Sequence, residues 1–132
     1  SWFGAYTSTR YSTAQQHFVN IDTAMDQNNG QITLNCNCTA VPDPNNTYAY
    51  VFASQHYQIY LCGAFWRAPL LGTDSKAGTL IHEMSHFTIV AGTDDHVYGQ
   101  SGANSLANTD PTLAVDNADN HEYFAENTPF QN

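Results

Sequence analysis

Apolar residues between Ser12 and Met25 fall at Ala14, Phe18, Ile21 and Met25, the spacing of one helical face. That spacing predicts an amphipathic helix over Ser12–Met25, ended by the turn-forming run Asn28-Asn29-Gly30. The pattern then changes. Gln31–Cys36, Tyr48–Phe52 and Gln58–Cys62 are short and rich in β-branched or aromatic residues, and turn-rich Pro42-Asp43-Pro44-Asn45-Asn46 and 53–56 separate them. They predict a small antiparallel sheet of hairpins. A helical period returns with Ala77, Leu80, Ile81, Met84 and Phe87, which predicts a helix over Ser75–Ile89. Thr73 or Asp74 is its expected N-cap, and its expected stop is near Gly92. Gly99–Ala107, Pro111–Val115 and Asp119–Glu126 read as further short helices, and no repeat or low-complexity segment interrupts the series. The expected class is therefore α+β, a small sheet between one early helix and a mostly helical C-terminal half.

A chain of 132 residues is the size of one domain, since single domains most often run to roughly 100–150 residues. Hydrophobic residues make up 42% and aromatics 13%, enough apolar surface to offset the conformational entropy lost on folding and so to exclude disorder. The formal charge is −9, and the three basic residues, Arg10, Arg67 and Lys76, are scattered. No basic stripe is left to neutralise phosphates or an anionic bilayer, so nucleic acid and acidic membranes are excluded as expected partners. A cationic substrate is favoured instead.

No run approaches the ~20 apolar residues of a membrane span. The opening SWFGAYTSTR lacks the basic and apolar parts of a signal peptide, so a secreted protein would be met here in processed form. The cysteines, Cys36, Cys38 and Cys62, lack the paired arms of a thiolate zinc site and fit disulfide chemistry better. In an extended segment Cys36 and Cys38 point to opposite faces, so only one of them can meet Cys62. Asn45-Asn46-Thr47 is a glycosylation acceptor, consistent with an extracellular location.

The chemistry concentrates in His82-Glu83-Met84-Ser85-His86, an H-E-x-x-H pentapeptide on the strongest helical segment. Residues i and i+4 share a helical face, so both imidazoles can grip one metal ion while Glu83 lies beside it. Two imidazoles and an acidic third ligand suit zinc and leave a fourth position for water, whose proton Glu83 could take and pass to the leaving amine. Downstream stands Gly92-Thr93-Asp94-Asp95-His96-Val97-Tyr98-Gly99. H-E-x-x-H followed by G-T-x-D-x-x-Y-G resembles the aspzincins, the deuterolysin family of zinc endopeptidases. The resemblance implies a zincin-like fold and one zinc ion held by His82, His86 and Asp95. It also implies Glu83 as general base and Tyr98 as a donor to the oxyanion. Asp94 is set aside because it fills the free position of the motif, and His96 because its position is variable; His17 and His56 read as surface or packed histidines.

The stretches Trp2-Phe3-Gly4, 60–66, Gly72-Thr73-Asp74-Ser75 and 117–124 further resemble the peptidyl-Lys branch of that family. This implies cleavage of polypeptides on the amino side of lysine, with Asp119 and Glu122 receiving the lysine ammonium. Three residues apart on a helix, those carboxylates can bracket one cation. A single lysine in the whole chain, Lys76, suits a protease that would cut itself at exposed lysines. The resemblance also implies an absent N-terminal segment carrying the partner of Cys36, which leaves Cys38–Cys62 as the bridge within this chain. The expectation is thus a secreted, monomeric zinc endopeptidase domain over 1–132, truncated or processed at its N-terminus. The alternative is a non-catalytic zinc-binding or recognition protein of the same fold, against which Glu83 argues.

Overall fold

A computed structural model describes residues 1–28 and 30–129, so Asn29 of the expected Asn28-Asn29-Gly30 turn lies outside the described residues. The chain runs α1 (Ser8–Met25), β1 (Thr33–Asn35), β2 (Ala49–Tyr50), β3 (Gln58–Leu61), α2 (Gly63–Arg67), α3 (Lys76–His86), α4 (Gly99–Thr109), α5 (Pro111–Ala114) and α6 (Ala118–Glu126). The α+β class is as expected. Helix α1 starts earlier than its apolar spacing suggests because the Thr7 side chain accepts from Arg10 N and caps it. Its buried positions are Ala14, Ile21 and Ala24, while Met25 stays at the surface.

The expected antiparallel hairpins are corrected. The sheet order is β1-β3-β2, with β1 parallel to β3 and only β2 antiparallel to it. The cause lies in the connection 36–48, which is long enough to carry the chain from one side of β3 to the other. Cys38 within that connection is bonded to Cys62 at the end of β3, Cα to Cα 5.3 Å, and Cys36 is exposed and free. The bridge closes a loop spanning 24 positions, which on the chain-entropy model stabilises by about 3 kcal/mol. Urea unfolding of Cys38→Ala/Cys62→Ala should show a loss of that size; an unchanged midpoint would mean that the crossover is held by packing alone.

Helix α3 is the centre of the molecule. It packs most extensively on α6 and also touches α1, α2 and the sheet. Its Met84 and the following Phe87 are fully buried with Ile21, Ile59, Leu61 and Phe65 in the main core. The cap is Ser75, whose side chain accepts from Gly78 N, rather than Thr73 or Asp74, because Asp74 adopts a left-handed φ of 51° just before it. The helix also ends three residues short of Ile89. Phe87 leaves in extended conformation to fill the core, and Gly92, at φ 59°, turns the chain back with its N–H on the Phe87 carbonyl. Among the described residues no helix is long and apolar enough to cross a membrane.

Candidate metal centre and cleft

Because α3 is amphipathic, its core side anchors Met84 while the opposite edge turns His82, Glu83 and His86 toward a cleft of about 600 Å³. The turn at Gly92 returns the chain along this edge. Thr93 N donates to the Ser85 carbonyl, and the Ser85 and Thr93 hydroxyls meet at 2.6 Å, both buried. Beyond Thr93 the loop is held from α6: Asp94 bridges to Asn117, and the Asn117 side chain accepts from His96 N and Val97 N. Asp95 thereby arrives opposite the two imidazoles. Its Oδ1 lies 3.1 Å from His82 Nε2 and 3.1 Å from His86 Nε2.

The other ring nitrogens are also engaged. His86 Nδ1 lies 2.8 Å from the Thr93 carbonyl, and His82 Nδ1 lies 2.6 Å from Asp119 Oδ1. Both contacts hold the Nδ1 hydrogen and leave each Nε2 facing the Asp95 carboxylate, where it donates to Oδ1 when protonated and offers a lone pair to a cation when not. Two lone pairs and an anionic oxygen converging on one point are a donor set for a cation of the zinc type. Burial opposes the charged form of His82, yet hydrogen bonds to Asp119, Asp95 and Glu122 outweigh it and raise its pKa well above the ordinary value. His86 is raised in the same way, chiefly by Asp95 against burial. Asp95 is pulled far below the carboxylate range, the two imidazoles overcoming its own burial. Protons thus gather where a metal cation would be welcome.

Glu83 is 5% exposed and its carboxylate lies 3.8 Å from His82 Nε2. Burial raises its pKa, with the two histidines pulling the other way. Tyr98 caps α4 at the cleft, 69% exposed, and burial of its hydroxyl end beside Asp95 raises its pKa to about 12. Asp119 and Glu122 line the same cleft from α6, and burial raises Glu122 to about 8. Gly78 leaves room where α3 crosses α6, since a Cβ there would run into the Glu126 carboxylate and Glu122 Cγ and displace both side chains.

All seven residues singled out for zinc, catalysis and substrate therefore line one cleft. Asp94, the rival to Asp95, lies on the far side of the loop, where it groups with His96 and Asp116; His96 Nε2 pairs with Asp116 at 2.8 Å. Thr93, Ser85 and Asn117, which hold the Asp95 loop, carry no sequence signal for that task beyond their place in the quoted motifs. His121 and His17 do not line the cleft; their ring nitrogens meet at 3.0 Å where α6 packs against α1.

Residues 1–126 match the aspzincin family, described as lysine-specific metallo-endopeptidase, and the chain belongs to that family. It is 54% identical to an extracellular protease of Aeromonas hydrophila over its whole length, and 53% identical over 99% of its length to the peptidyl-Lys metalloendopeptidase of Grifola frondosa. The chain spans only 36% of each of these relatives. The solved zinc peptidase from Grifola frondosa shares the fold at a TM-score of 0.88 and 51% identity, covering 99% of this chain and 76% of that one. Family and fold class are as the motifs implied.

Proposed function

We propose that this chain, as one catalytic domain over 1–132, is a secreted zinc endopeptidase that cuts polypeptides on the amino side of lysine. The observation that carries the proposal is the convergence of His82 Nε2, His86 Nε2 and Asp95 Oδ1 at 3.1 Å, with Glu83 buried beside them on the cleft. One ion suffices. The alternative grouping around His82 Nδ1, with Asp119 and Glu122, offers a nitrogen already committed to a 2.6 Å hydrogen bond. Bound zinc would supply a Lewis acid that lowers the pKa of water and polarises a carbonyl.

The remaining chemistry belongs to the side chains. Glu83 takes a proton from the attacking water and returns it to the amine nitrogen as the C–N bond breaks, so one water is consumed per peptide bond. The Tyr98 hydroxyl donates to the negative charge growing on the carbonyl oxygen, a contribution typically worth about 3–4 kcal/mol. Glu122 and Asp119 present carboxyl groups on the cleft wall, where an arriving lysine ammonium favours the ionised form of Glu122 and recovers in charge and hydrogen bonds what it loses in hydration. Secretion is supported by the Cys38–Cys62 bridge and by the extracellular relative.

Casein digestion with and without chelator, read as the N-termini of the products, tests this reading. Chelator-sensitive cleavage restored by zinc, with lysine at the new N-termini, is expected. Mixed termini would leave a broad zinc endopeptidase, and absence of cleavage in both arms would favour a binding protein of the same fold.

A further inference from the structure

If the chain is a lysyl endopeptidase, the reading on which this inference rests, each copy is surrounded by potential substrates of its own sequence. Lys76 is the only lysine of the 132 residues, so Ser75–Lys76 is the one bond here with lysine on its amine side. Every group that a protease must seize at that bond is already occupied. The Ser75 carbonyl accepts from Thr79 N at 2.9 Å and from the Thr79 hydroxyl at 2.8 Å. The Lys76 amide donates to the Pro69 carbonyl at 2.8 Å, and the ammonium donates to the Trp66 carbonyl at 3.2 Å and to the Ala68 carbonyl, above the Phe65 ring. From the other side Glu126 of α6 accepts from Asp74 N, Ser75 N and the Ser75 hydroxyl at 3.0, 2.9 and 3.0 Å. Ser75 is 1% exposed, and Lys76 opens the helical run of α3 rather than an extended segment that could lie along a cleft.

The place of the bond decides what its loss would do. Hydrolysis there would split the chain into 1–75 and 76–132, with His82, Glu83, His86, Asp95 and Tyr98 in the second piece and the sheet and all three cysteines in the first. The Cys38–Cys62 bridge closes within the first piece, so no covalent link would join the two. Met84 and Phe87 would part from Ile59, Leu61 and Phe65, their partners in the main core. We propose that Ser75–Lys76 is a self-processing site: a second copy of the enzyme hydrolyses it whenever the clamp made by 66–69, Thr79 and Glu126 opens, and that single cut ends activity by detaching α3 from the sheet. One water is consumed, leaving a carboxylate on Ser75 and a new α-amino group on Lys76. Cleavage of a locally opened bond follows the population of the open form, so folded copies persist while unfolded ones are removed.

The test offers Glu83→Gln, which lacks the general base, as substrate to the zinc-loaded wild type. It is offered with the bridge intact and with Cys38→Ala/Cys62→Ala, at a urea concentration that unfolds the bridge-less form and leaves the wild type folded. Mass spectrometry of the bridge-less substrate should show 1–75 and 76–132 and no other product, formed about 100-fold faster than from the bridged one. Adding Lys76→Gln to the bridge-less substrate should abolish the cut. Without urea, Ser75→Ala in the bridged substrate removes the cap of α3 and one bond to Glu126, and should speed the same cut about fivefold. Equal rates on the bridged and bridge-less substrates, an unchanged rate in Ser75→Ala, or cleavage at other bonds would overturn the proposal. So would an uncut bridge-less substrate beside a lysyl peptide that the same wild type cleaves. A wild type that leaves that peptide uncut as well would instead remove the lysyl-endopeptidase reading on which the proposal stands.

Discussion

Glu83→Gln is expected to keep its metal and to lose about 10²–10⁴-fold in kcat, the usual contribution of a positioned general base. The substitution is nearly isosteric, so α3 and its packing should survive, and glutamine retains an oxygen and gains a donor but cannot carry a proton between water and amine. Position explains why no other group substitutes for it. Glu83 follows His82 on the helix, so it stands beside the two imidazoles rather than between them, and its carboxylate is 3.8 Å from His82 Nε2 on the cleft wall. The other acids of the cleft are engaged: Asp95 with both histidines, Asp119 with His82 and Gly99, Asp74 with the Tyr123 hydroxyl, and Glu122 facing His82 Nδ1. Plasma-emission metal analysis after dialysis, paired with kcat on a lysyl peptide, checks the prediction. Loss of zinc in the variant would make Glu83 a ligand, and an unchanged kcat would place the proton acceptor elsewhere.

What could be read from the chain ahead of its structure was the chemistry written within one element or one turn. His82 and His86 declare themselves because a helix places i and i+4 on one face, and Gly92 because a helix must end before a loop can return. The pairing of β1 with β3 could not be read so, since parallel and antiparallel partners share the same apolar alternation and only the route of 36–48 decides between them. The early stop of α3 had the same origin. Phe87 continues the helical period, yet the core lying off the helix axis offered it more burial than one further turn would. Asp119 shows where local reading ends: helix spacing groups it with Glu122, whereas its hydrogen bonds run to His82 and Gly99, residues distant in sequence and brought close only by the crossing of α3 and α6.

Acid should weaken the fold through His121, and the effect should reach about 3 kcal/mol. This ring is fully buried, packed edge-on against Phe3 and tilted against Phe18, with centroids 5.0 and 5.3 Å away. Its Nδ1–H donates to the Asn117 carbonyl at 2.9 Å, so Nε2 is left as an acceptor for His17 Nδ1–H at 3.0 Å. A proton added at Nε2 would point at that donor. Burial, with His17, His82 and His86 adding repulsion, holds the His121 pKa down at about 4 against 6.5 for the free side chain. Above about pH 6.5 the ring is neutral in both folded and unfolded chains, and its contribution is fully present. As pH falls from there toward about 4, the unfolded chain takes up a proton that the folded one refuses, and stability drops by about 1.4 kcal/mol per unit of depression. His17 is lowered mainly by its own burial, opposed by Asp116, and adds loss in the same direction. His82 and His86 have raised values and shift the metal-free protein the other way, so the informative quantity is the difference between wild type and His121→Gln. Urea unfolding of both without metal should show that difference shrinking by about 3 kcal/mol between about pH 7 and about pH 4. Parallel stability curves across that range would mean that the His17–His121 contact opens to solvent before either ring is charged.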